Sequence, residues 1–359
     1  MDKVTIAGLA QQLGISKASV SYALNGRAGV SPDTRARVLA LAQELGWYPS
    51  SSARALSQAR SETIGIVLLR DPEHVGSEPF YMNVLAGIEA VLGSRELNLM
   101  LRIVVPDGVV PPSASSAASL PSARRDLAVY RRWAGERRVD GVLLFDETRN
   151  DPRGPLLGSL GLPFVQVGGS AASAARSAST TVDQSVDAAT VVGALHGLGH
   201  RHFAYVSGPL DLAHEALRSA SLAAHAWKLG MTLVSSASDY TAPDGEAATI
   251  AVVAGLAPGS ESFPTAIVYG NDLMAMGGLA ALQRLDIAVP GQVSVVSWDD
   301  SIMCQFSSPP VAALARNVPE LGRQSALLLL DVIDGHAVAD RAMPAGVLQL
   351  RASLGVARP

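Results

Sequence analysis

The apolar positions of the first fifty residues recur every three or four places, which is the spacing of an α-helix. Each of three such stretches follows a serine or threonine, at Thr5, Ser16 and Ser31, that can cap the amino end of a helix. Glycines stand where the first two stretches end, at Gly14 and Gly26. We therefore predict three short helices that share a small core, over residues 6–13, 17–24 and 32–45.

Beyond residue 61 the pattern changes to short aliphatic runs that alternate with amphipathic stretches. The predicted strands are Thr63–Leu69, Leu97–Val105, Val139–Phe145, Phe164–Val167, His202–Ser207, Ala266–Tyr269 and Val293–Trp298. The predicted helices include Phe80–Leu92, Asp126–Arg137, Ser185–Leu198, Leu273–Leu285 and Val318–Ile333. Such runs are typical of strands buried on both faces of a parallel sheet. The predicted fold class is α/β, with an all-α head followed by a body of parallel sheets. Such sheets bind ligands beyond the carboxyl ends of their strands.

Two segments fit neither pattern. Residues 111–122 are rich in Ser, Ala and Pro, and we predict a disordered surface insertion. Residues 50–61 lie between the helical head and the first strand and are predicted to be a tether. No apolar run approaches the ~18 residues of a membrane span, and no apolar signal segment follows Met1. We therefore expect a soluble, cytoplasmic protein without a membrane partner.

The charge distribution separates the head from the body. The first sixty residues hold seven Lys and Arg against three Asp and Glu, a net charge of +4, so the rest carries −8 and the whole chain −4. A basic head on an acidic body indicates that the head binds a polyanion. The single cysteine, Cys304, excludes a disulfide framework and a thiolate metal cluster.

The two caps at Thr5 and Ser16 stand eleven residues apart with a glycine turn between them. This is the arrangement of a helix-turn-helix, whose second helix enters the major groove of DNA. Small polar side chains suited to phosphate oxygens surround that helix, namely Ser16, Ser19, Ser21 and Asn25. Lys17, Ala18 and Tyr22 project from its exposed face and can reach base edges. The alternative is a generic three-helix subdomain whose polar residues are solvated caps.

An ordered series of motifs makes the head more specific than a bare helix-turn-helix. The series comprises Val4-Thr5-Ile6, Leu9-Ala10, the run from Gly14 to Gly26, Val30-Ser31-Pro32-Asp33-Thr34-Arg35, Leu45-Gly46-Trp47-Tyr48-Pro49 and Ser52-Ala53-Arg54-Ala55-Leu56. It resembles the head of lactose-repressor-family regulators. By that resemblance Lys17, Ala18 and Tyr22 occupy base-reading positions, and the cap residues Thr5 and Ser31 join the residues that contact DNA.

The resemblance also implies a domain organisation. Residues 1–49 correspond to a helix-turn-helix DNA-binding domain, residues 50–61 to a hinge, and residues 62–359 to a ligand-sensing and dimerisation body. The hinge becomes helical on DNA in this family. Its expected minor-groove residues are Ala53, Arg54 and Leu56, and the last would act as an apolar wedge that opens a central base step.

Later motifs extend the resemblance over nearly all of the body outside the insertion. They include Thr63-Ile64-Gly65-Ile66-Val67, Glu78-Pro79-Phe80, Gly199-His200-Arg201, Asn271-Asp272 and Val295-Val296-Ser297-Trp298-Asp299-Asp300. The family body consists of two periplasmic-binding-protein-like lobes, and the chain crosses between them three times, here near residues 165, 298–318 and 345. The implied N-lobe is about 62–165 and 317–345, and the implied C-lobe about 166–316 and 346–359.

Five residues are candidates for effector binding. Arg218, Asn271 and Asp299 match family positions that bind effector hydroxyls, and their guanidinium, amide and carboxylate groups can pair with vicinal hydroxyls. Phe80 and Trp298 can supply apolar faces for a sugar or nucleobase. The alternative for Asn271 and Asp299 is helix or turn capping, and for the two aromatic residues it is plain core packing.

The sequence has no convincing catalytic constellation, so we predict no enzyme, no cofactor and no metal site. His196, His200 and His202 cluster, but no Glu follows His196 as a zincin motif requires. The family implies a nucleoid-associated homodimer that represses transcription from operator DNA under the control of a sugar-like effector. Two alternatives stay open: a soluble sugar-binding protein without DNA function, and a regulator of the same family controlled by a protein corepressor.

Overall fold

The structure is a computed structural model that describes residues 5–48, 60–105, 124–170 and 174–357. The chain divides between Ser61 and Glu62 into two compact units, a helical head and a larger α/β body. The predicted insertion at 111–122 lies outside the described residues, and so does the predicted tether at 50–61 except for its last two positions. No helix in the described ranges is long and apolar enough to cross a bilayer.

The head contains the three predicted helices, α1 Ile6–Leu13, α2 Lys17–Leu24 and α3 Pro32–Glu44. Each begins at a predicted cap: the hydroxyls of Thr5, Ser16 and Ser31 accept hydrogen bonds from backbone N–H groups three residues on, at 3.2, 3.0 and 3.2 Å. These bonds satisfy amides that have no partner within the helix. Leu9, Val20 and Val38, one from each helix, form the fully buried centre of the head.

The body contains twelve strands and ten helices in the described ranges. In chain order the strands are β1 Thr63–Leu69, β2 Asn98–Val104, β3 Gly141–Leu144, β4 Phe164–Val167, β5 Ser177–Thr181, β6 His202–Ser207, β7 Thr232–Ala237, β8 Ala266–Tyr269, β9 Ser294–Ser297, β10 Ala312–Ala315, β11 Arg341–Ala342 and β12 Val347–Gln349. The helices are α4 Pro72–Ser77, α5 Pro79–Ser94, α6 Arg125–Gly135, α7 Arg153–Leu160, α8 Gln184–Gly197, α9 Ala213–Lys228, α10 Ala242–Val253, α11 Asp272–Arg284, α12 Ile302–Phe306 and α13 Val318–Ile333.

The strands form two sheets, one in each of two lobes. The first has the order β11-β5-β4-β3-β1-β2 and the second the order β12-β10-β9-β8-β6-β7. All pairs are parallel except β10 with β12. Helices cover both faces, as at β1, where Ile64, Ile66 and Leu68 join one apolar cluster and Val67 joins another with Trp133. Burial on both faces explains why these strands are continuous apolar runs.

The first crossing between the lobes differs from the expectation. Strand β5 pairs in parallel with β4, with Val165 opposite Ala178, so both strands belong to the first sheet. The chain therefore leaves the first lobe after Thr181 and not near residue 165. It returns between β10 and α13, and crosses again between β11 and β12. The sequence Ser177–Thr181 has no apolar run, so its pattern did not indicate a buried strand.

Close helix packing in the first lobe fixes two elements that reach the space between the lobes. A Cβ atom on Gly87 of α5 would lie 1.8 Å from the carbonyl oxygen of Pro319, and one on Gly322 of α13 would lie 2.0 Å from that of Val84. Only glycine permits this approach, because any side chain would overlap the opposing backbone. The amino ends of α5 and α13 are thereby held side by side.

Candidate functional site

A cavity of about 350 Å³ lies between the two lobes. Several of its lining residues stand one or two positions beyond the carboxyl end of a strand: Arg70 after β1, Asp146 after β3, Gly168 after β4, Gly270 after β8, Asp299 after β9 and Arg316 after β10. Parallel α/β sheets bind ligands at this edge, because the strands end there and the loops diverge. The cavity is large enough for a small organic molecule.

On the first lobe, Asp146 is the centre of a polar cluster. Its Oδ2 atom lies 3.0 Å from Nε of Arg70, and the hydroxyl of Tyr81 donates a hydrogen bond to the same oxygen at 2.6 Å. Burial alone would raise the pKa of Asp146, but the charge of Arg70 and these two hydrogen bonds outweigh it and lower the pKa to about 2. Arg70 and Asp146 are therefore a charged, mutually neutralised pair.

On the second lobe, the fully buried Glu215 holds Arg218 in place. Its Oε2 atom accepts hydrogen bonds from Nη1 of Arg218 at 3.1 Å and from the hydroxyl of Tyr240 at 2.5 Å, while Tyr205 donates to its Oε1. Nη1 of Arg218 also donates to the carbonyl of Gly270 at 2.9 Å. Glu215 and the carbonyl of Gly270 thus fix the orientation of the Arg218 guanidinium before any ligand is present.

His214 acts as a neutral donor in this wall. Its Nε2 lies 3.0 Å from the hydroxyl of Tyr240, whose own proton is directed to Glu215. Burial and the nearby charge of Arg218 lower the pKa of His214 to about 4. At neutral pH the ring is uncharged, and we assign its proton to Nε2 because Tyr240 can only accept there.

Two carboxyl groups on the cavity wall have no hydrogen-bonded partner among the described residues. Glu78, at the amino end of α5, is 9% exposed, and burial with nearby Asp146 and Asp299 raises its pKa to about 8 although Arg70 opposes the shift. The side chain of Asp299 is 29% exposed, and its nearest cation is Nη1 of Arg316 at 3.9 Å, too far for a hydrogen bond. Burial raises the pKa of Asp299 as well, against the charges of Arg218 and Arg316.

Asp187 connects two of the three crossing segments. Its Oδ2 accepts hydrogen bonds from Nη2 and Nε of Arg316, at 2.6 and 3.0 Å, just after β10. Its Oδ1 accepts one from the backbone N–H of Gly346 at 2.7 Å, just before β12. Arg316 also lies over the ring of Trp298, 5.5 Å from its centroid. One buried carboxylate at the start of α8 therefore joins both segments.

A backbone latch, residues 147–149 of the first lobe with residues 211–213 of the second, forms another connection. Thr148 and Leu212 make an antiparallel β-bridge. The N–H of Ala213 donates to the carbonyl of Glu147 at 2.7 Å, and the N–H of Arg149 donates to that of Asp211 at 3.1 Å. These bonds depend on the two lobes lying close together, so the latch stabilises the closed arrangement.

We expect Ala213→Pro to weaken this latch by about 1 kcal/mol, because proline lacks the N–H that donates to Glu147. Ala213 is the first residue of α9, where proline is accepted, and Leu212 already has the extended backbone that must precede it. Deuterium exchange in peptides spanning residues 147–151 should become roughly fivefold faster. Ala213→Gly keeps the N–H and serves as the control. Unchanged protection in the proline variant would contradict the role of the latch.

The structure places three of the five effector candidates on the cavity wall: Phe80, Arg218 and Asp299. Asn271 lies behind it, where its side chain caps α11 by accepting from the N–H of Met274 at 2.9 Å and donates to the carbonyl of Tyr240 at 3.0 Å. Trp298 is fully buried, with Arg218 stacked on its ring at 4.6 Å. These two residues support the lining, as the alternatives of capping and core packing anticipated.

The sequence interpretation missed several polar lining residues, namely Arg70, Glu78, Tyr81, Asp146, His214 and Tyr240. Arg70 and Asp146 had a usable signal, because each stands at the end of a predicted strand. His214 and Tyr240 had none, since they belong to or precede helices that the pattern did not indicate. Within the histidine cluster, both ring nitrogens of His200 are hydrogen-bonded, Nδ1 with the hydroxyl of Thr265 and Nε2 with the carbonyl of Gly355.

The second helix of the head presents an exposed polar face. Ser16, Lys17, Ala18 and Tyr22 are exposed, whereas Val20 and Ala23 on the opposite side are buried. The remaining candidates have local roles within the head: Ser19 bonds Ser16, Asn25 donates to the carbonyl of Ser21 at 2.8 Å, and Thr5 and Ser31 are caps. The hinge candidates Ala53, Arg54 and Leu56 lie outside the described residues.

Comparisons with known proteins agree over both units. Residues 5–50 match the family described as bacterial regulatory proteins, lacI family, and residues 192–354 match the periplasmic binding protein-like domain. The regulator CelR of Thermobifida fusca is 30% identical over 338 residues, 92% of each chain. The fold is similar to the lac repressor dimer bound to operator and anti-inducer (TM-score 0.80, 21% identity, 98% and 99% of the chains) and to a CelR–cellobiose complex (0.67, 24%, 98% and 99%).

Proposed function

The chain belongs to the lacI family of bacterial transcriptional regulators, and we propose that it is a homodimeric repressor released from or fixed on its operator by a sugar-like effector. The observation that carries the effector part is the cavity between the lobes, which is lined by Arg218 of helix α9 and by Asp299 just beyond strand β9. The guanidinium of Arg218 offers donors, and the carboxylate of Asp299, which accepts no hydrogen bond within the described residues, offers acceptors to neighbouring hydroxyls. Phe80 adds an apolar face of the kind that sugar rings contact.

Binding to operator DNA is supported by the head. Its net charge of +4 favours the phosphate backbone, and the exposed face of α2 carries Lys17, Ala18 and Tyr22. These three side chains would read bases in the major groove, with Ser16 positioning the helix on the phosphates. Ala53, Arg54 and Leu56 would act in the minor groove, where the cost of unstacking a base step is offset by the contacts of the bent DNA.

The effector would act through lobe closure. Two bodies related by a twofold axis would present two heads to a pseudopalindromic site. An effector that binds the closed lobes more tightly than the open ones shifts their equilibrium, and DNA affinity changes by a coupling free energy of about 1–3 kcal/mol. Cellobiose is bound by the CelR protein of the structural comparison, which supports a saccharide as the class of effector here.

The test is a binding-site selection with the full-length chain at several salt concentrations, repeated with a panel of saccharides. We expect a symmetric sequence whose affinity falls steeply with salt and changes when one saccharide is added. Tyr22→Ala should relax the preference at one base of each half-site by about 1–3 kcal/mol, because a base-edge contact is lost. The control is Tyr48→Ala, which removes a tyrosine that is 82% exposed in the same head but outside α2. An unchanged selected sequence for Tyr22→Ala would remove that residue from base reading.

A further inference from the structure

The three arginines on the cavity wall are already neutralised by carboxylates. The pairs are Arg70 with Asp146 at 3.0 Å, Arg218 with Glu215 at 3.1 Å and Arg316 with Asp187 at 2.6 Å. A ligand phosphate or carboxylate would have to break one of these buried pairs to gain a cation, and the carboxylate left behind would be buried and unpaired. The wall therefore disfavours an anionic ligand.

Two carboxyl groups remain after this pairing, and they come from different lobes. Glu78 begins α5 of the first lobe and Asp299 follows β9 of the second, and both face the same cavity. Within the described residues no hydrogen bond reaches either carboxyl group, and Glu78 is more than nine-tenths buried. A buried carboxyl group is normally satisfied, so Glu78 lacks a donor that a ligand can supply, and the partly exposed Asp299 can accept from the same ligand.

We infer that the effector carries a protonated amine, which closure of the lobes places between Glu78 and Asp299. This inference rests on the proposed function and specifies its ligand: an amino sugar or another polyhydroxylated amine. An ammonium group supplies three hydrogen-bond donors and one positive charge, and it suits two carboxyl groups that accept no hydrogen bond within the described residues. The hydroxyl groups of the same molecule would use the N–H groups of Arg218.

Binding of such a ligand changes the protonation of the wall. Because the pKa of Glu78 is raised to about 8, its carboxyl is largely protonated near pH 6.5 in the empty cavity. An ammonium group beside it favours the carboxylate and lowers that pKa, so the proton leaves as the ligand binds. A neutral sugar gives no such driving force. Amine binding should therefore release protons to the buffer.

The experiment is calorimetric titration of the full-length protein with matched ligands. The disaccharides are cellobiose, the corresponding β-1,4 disaccharide of glucosamine, and its N,N′-diacetyl form; glucose and glucosamine form a monosaccharide pair. At least one amine should bind about tenfold or more tightly than its neutral counterparts. Repeating that titration near pH 6.5 in buffers of different ionisation enthalpy should reveal proton release for the amine only.

The possible results separate this inference from the proposed function. If a neutral sugar binds as tightly as its amine counterpart or more tightly, the amine inference is overturned while the saccharide effector stands. If no member of the panel binds to a protein that still binds DNA, both the saccharide class and the amine are rejected. Amine binding without proton release overturns the assignment of Glu78 as the partner.

A variant pair tests Glu78 directly. Glu78→Gln should weaken amine binding by roughly 30-fold, because a buried charge pair loses one partner, and should remove the proton release. Binding of the neutral counterpart should change by less than about threefold. Glu89→Gln, a matched loss of one charge at an exposed position of the same helix α5, is the control. Equal loss of amine and neutral sugar binding in Glu78→Gln would mean that Glu78 only maintains the wall, and the inference would fall.

Discussion

Replacing Glu215 with alanine should lower the free energy of unfolding of the body by about 3–5 kcal/mol, because it leaves Arg218 buried without its carboxylate. Arg218 is 6% exposed and also lies against the ring of Trp298, so it cannot turn to water without disrupting the core. The hydroxyls of Tyr205 and Tyr240 lose their acceptor in the same step. Each buried donor left without a partner costs about 1–3 kcal/mol, and relaxation around the two hydroxyls keeps the total within the stated range.

Urea denaturation followed by tryptophan fluorescence measures this effect, since Trp298 reports directly on the second lobe. Glu89→Ala removes a carboxylate from an exposed helix position and should change stability by no more than about 0.5 kcal/mol. Glu215→Gln keeps an acceptor oxygen but not the charge, so its free energy of unfolding should lie between those of Glu215→Ala and Glu89→Ala. A loss below about 1 kcal/mol for Glu215→Ala would mean that the carboxylate of Glu215 is not what stabilises the buried guanidinium of Arg218.

Asp187→Ala should lower the free energy of unfolding of the body by a similar amount, about 3–5 kcal/mol, and should also weaken effector binding. The substitution leaves the guanidinium of Arg316 without its carboxylate partner and the N–H of Gly346 without its acceptor. Both groups lie where the chain passes between the lobes, and Arg316 lines the cavity. The body would therefore lose stability and the geometry of its wall together.

The double variant Asp187→Ala, Arg316→Met separates the two contributions. Removing the stranded charge should restore about half or more of the lost stability, because an apolar side chain tolerates burial that an unpaired guanidinium does not. The amide of Gly346 would remain unpaired and account for the rest. Strictly additive losses in this double-mutant cycle would show that the Asp187–Arg316 pair is not the source of the effect.

Elements whose signals are local could be predicted from the amino-acid sequence alone. The bounds of α1, α2, α13, β1 and β4 agree with prediction residue for residue, because caps, apolar spacing and glycine stops all lie within or beside each element. The alternation of strands and helices predicted the α/β class with parallel sheets, and the resemblance of ordered motifs implied the lacI family and its two lobes. These features depend on neighbours a few positions away in the chain.

Features that depend on residues far apart in the chain could be recognised only in the folded protein. Strand β5 is polar yet buried, because the hydroxyl of Thr180 bonds that of Ser325 at 2.8 Å across 145 positions of sequence. In the same way Arg70 forms an ion pair with Asp146, and Arg316 forms one with Asp187, over long separations in sequence. The electrostatic energy of a carboxyl group is set by distances to charges and by burial, and neither can be read from its sequence neighbours. The folded structure therefore shows which carboxyl groups are neutralised by arginines. It also shows that those of Glu78 and Asp299 accept no hydrogen bond within the described residues.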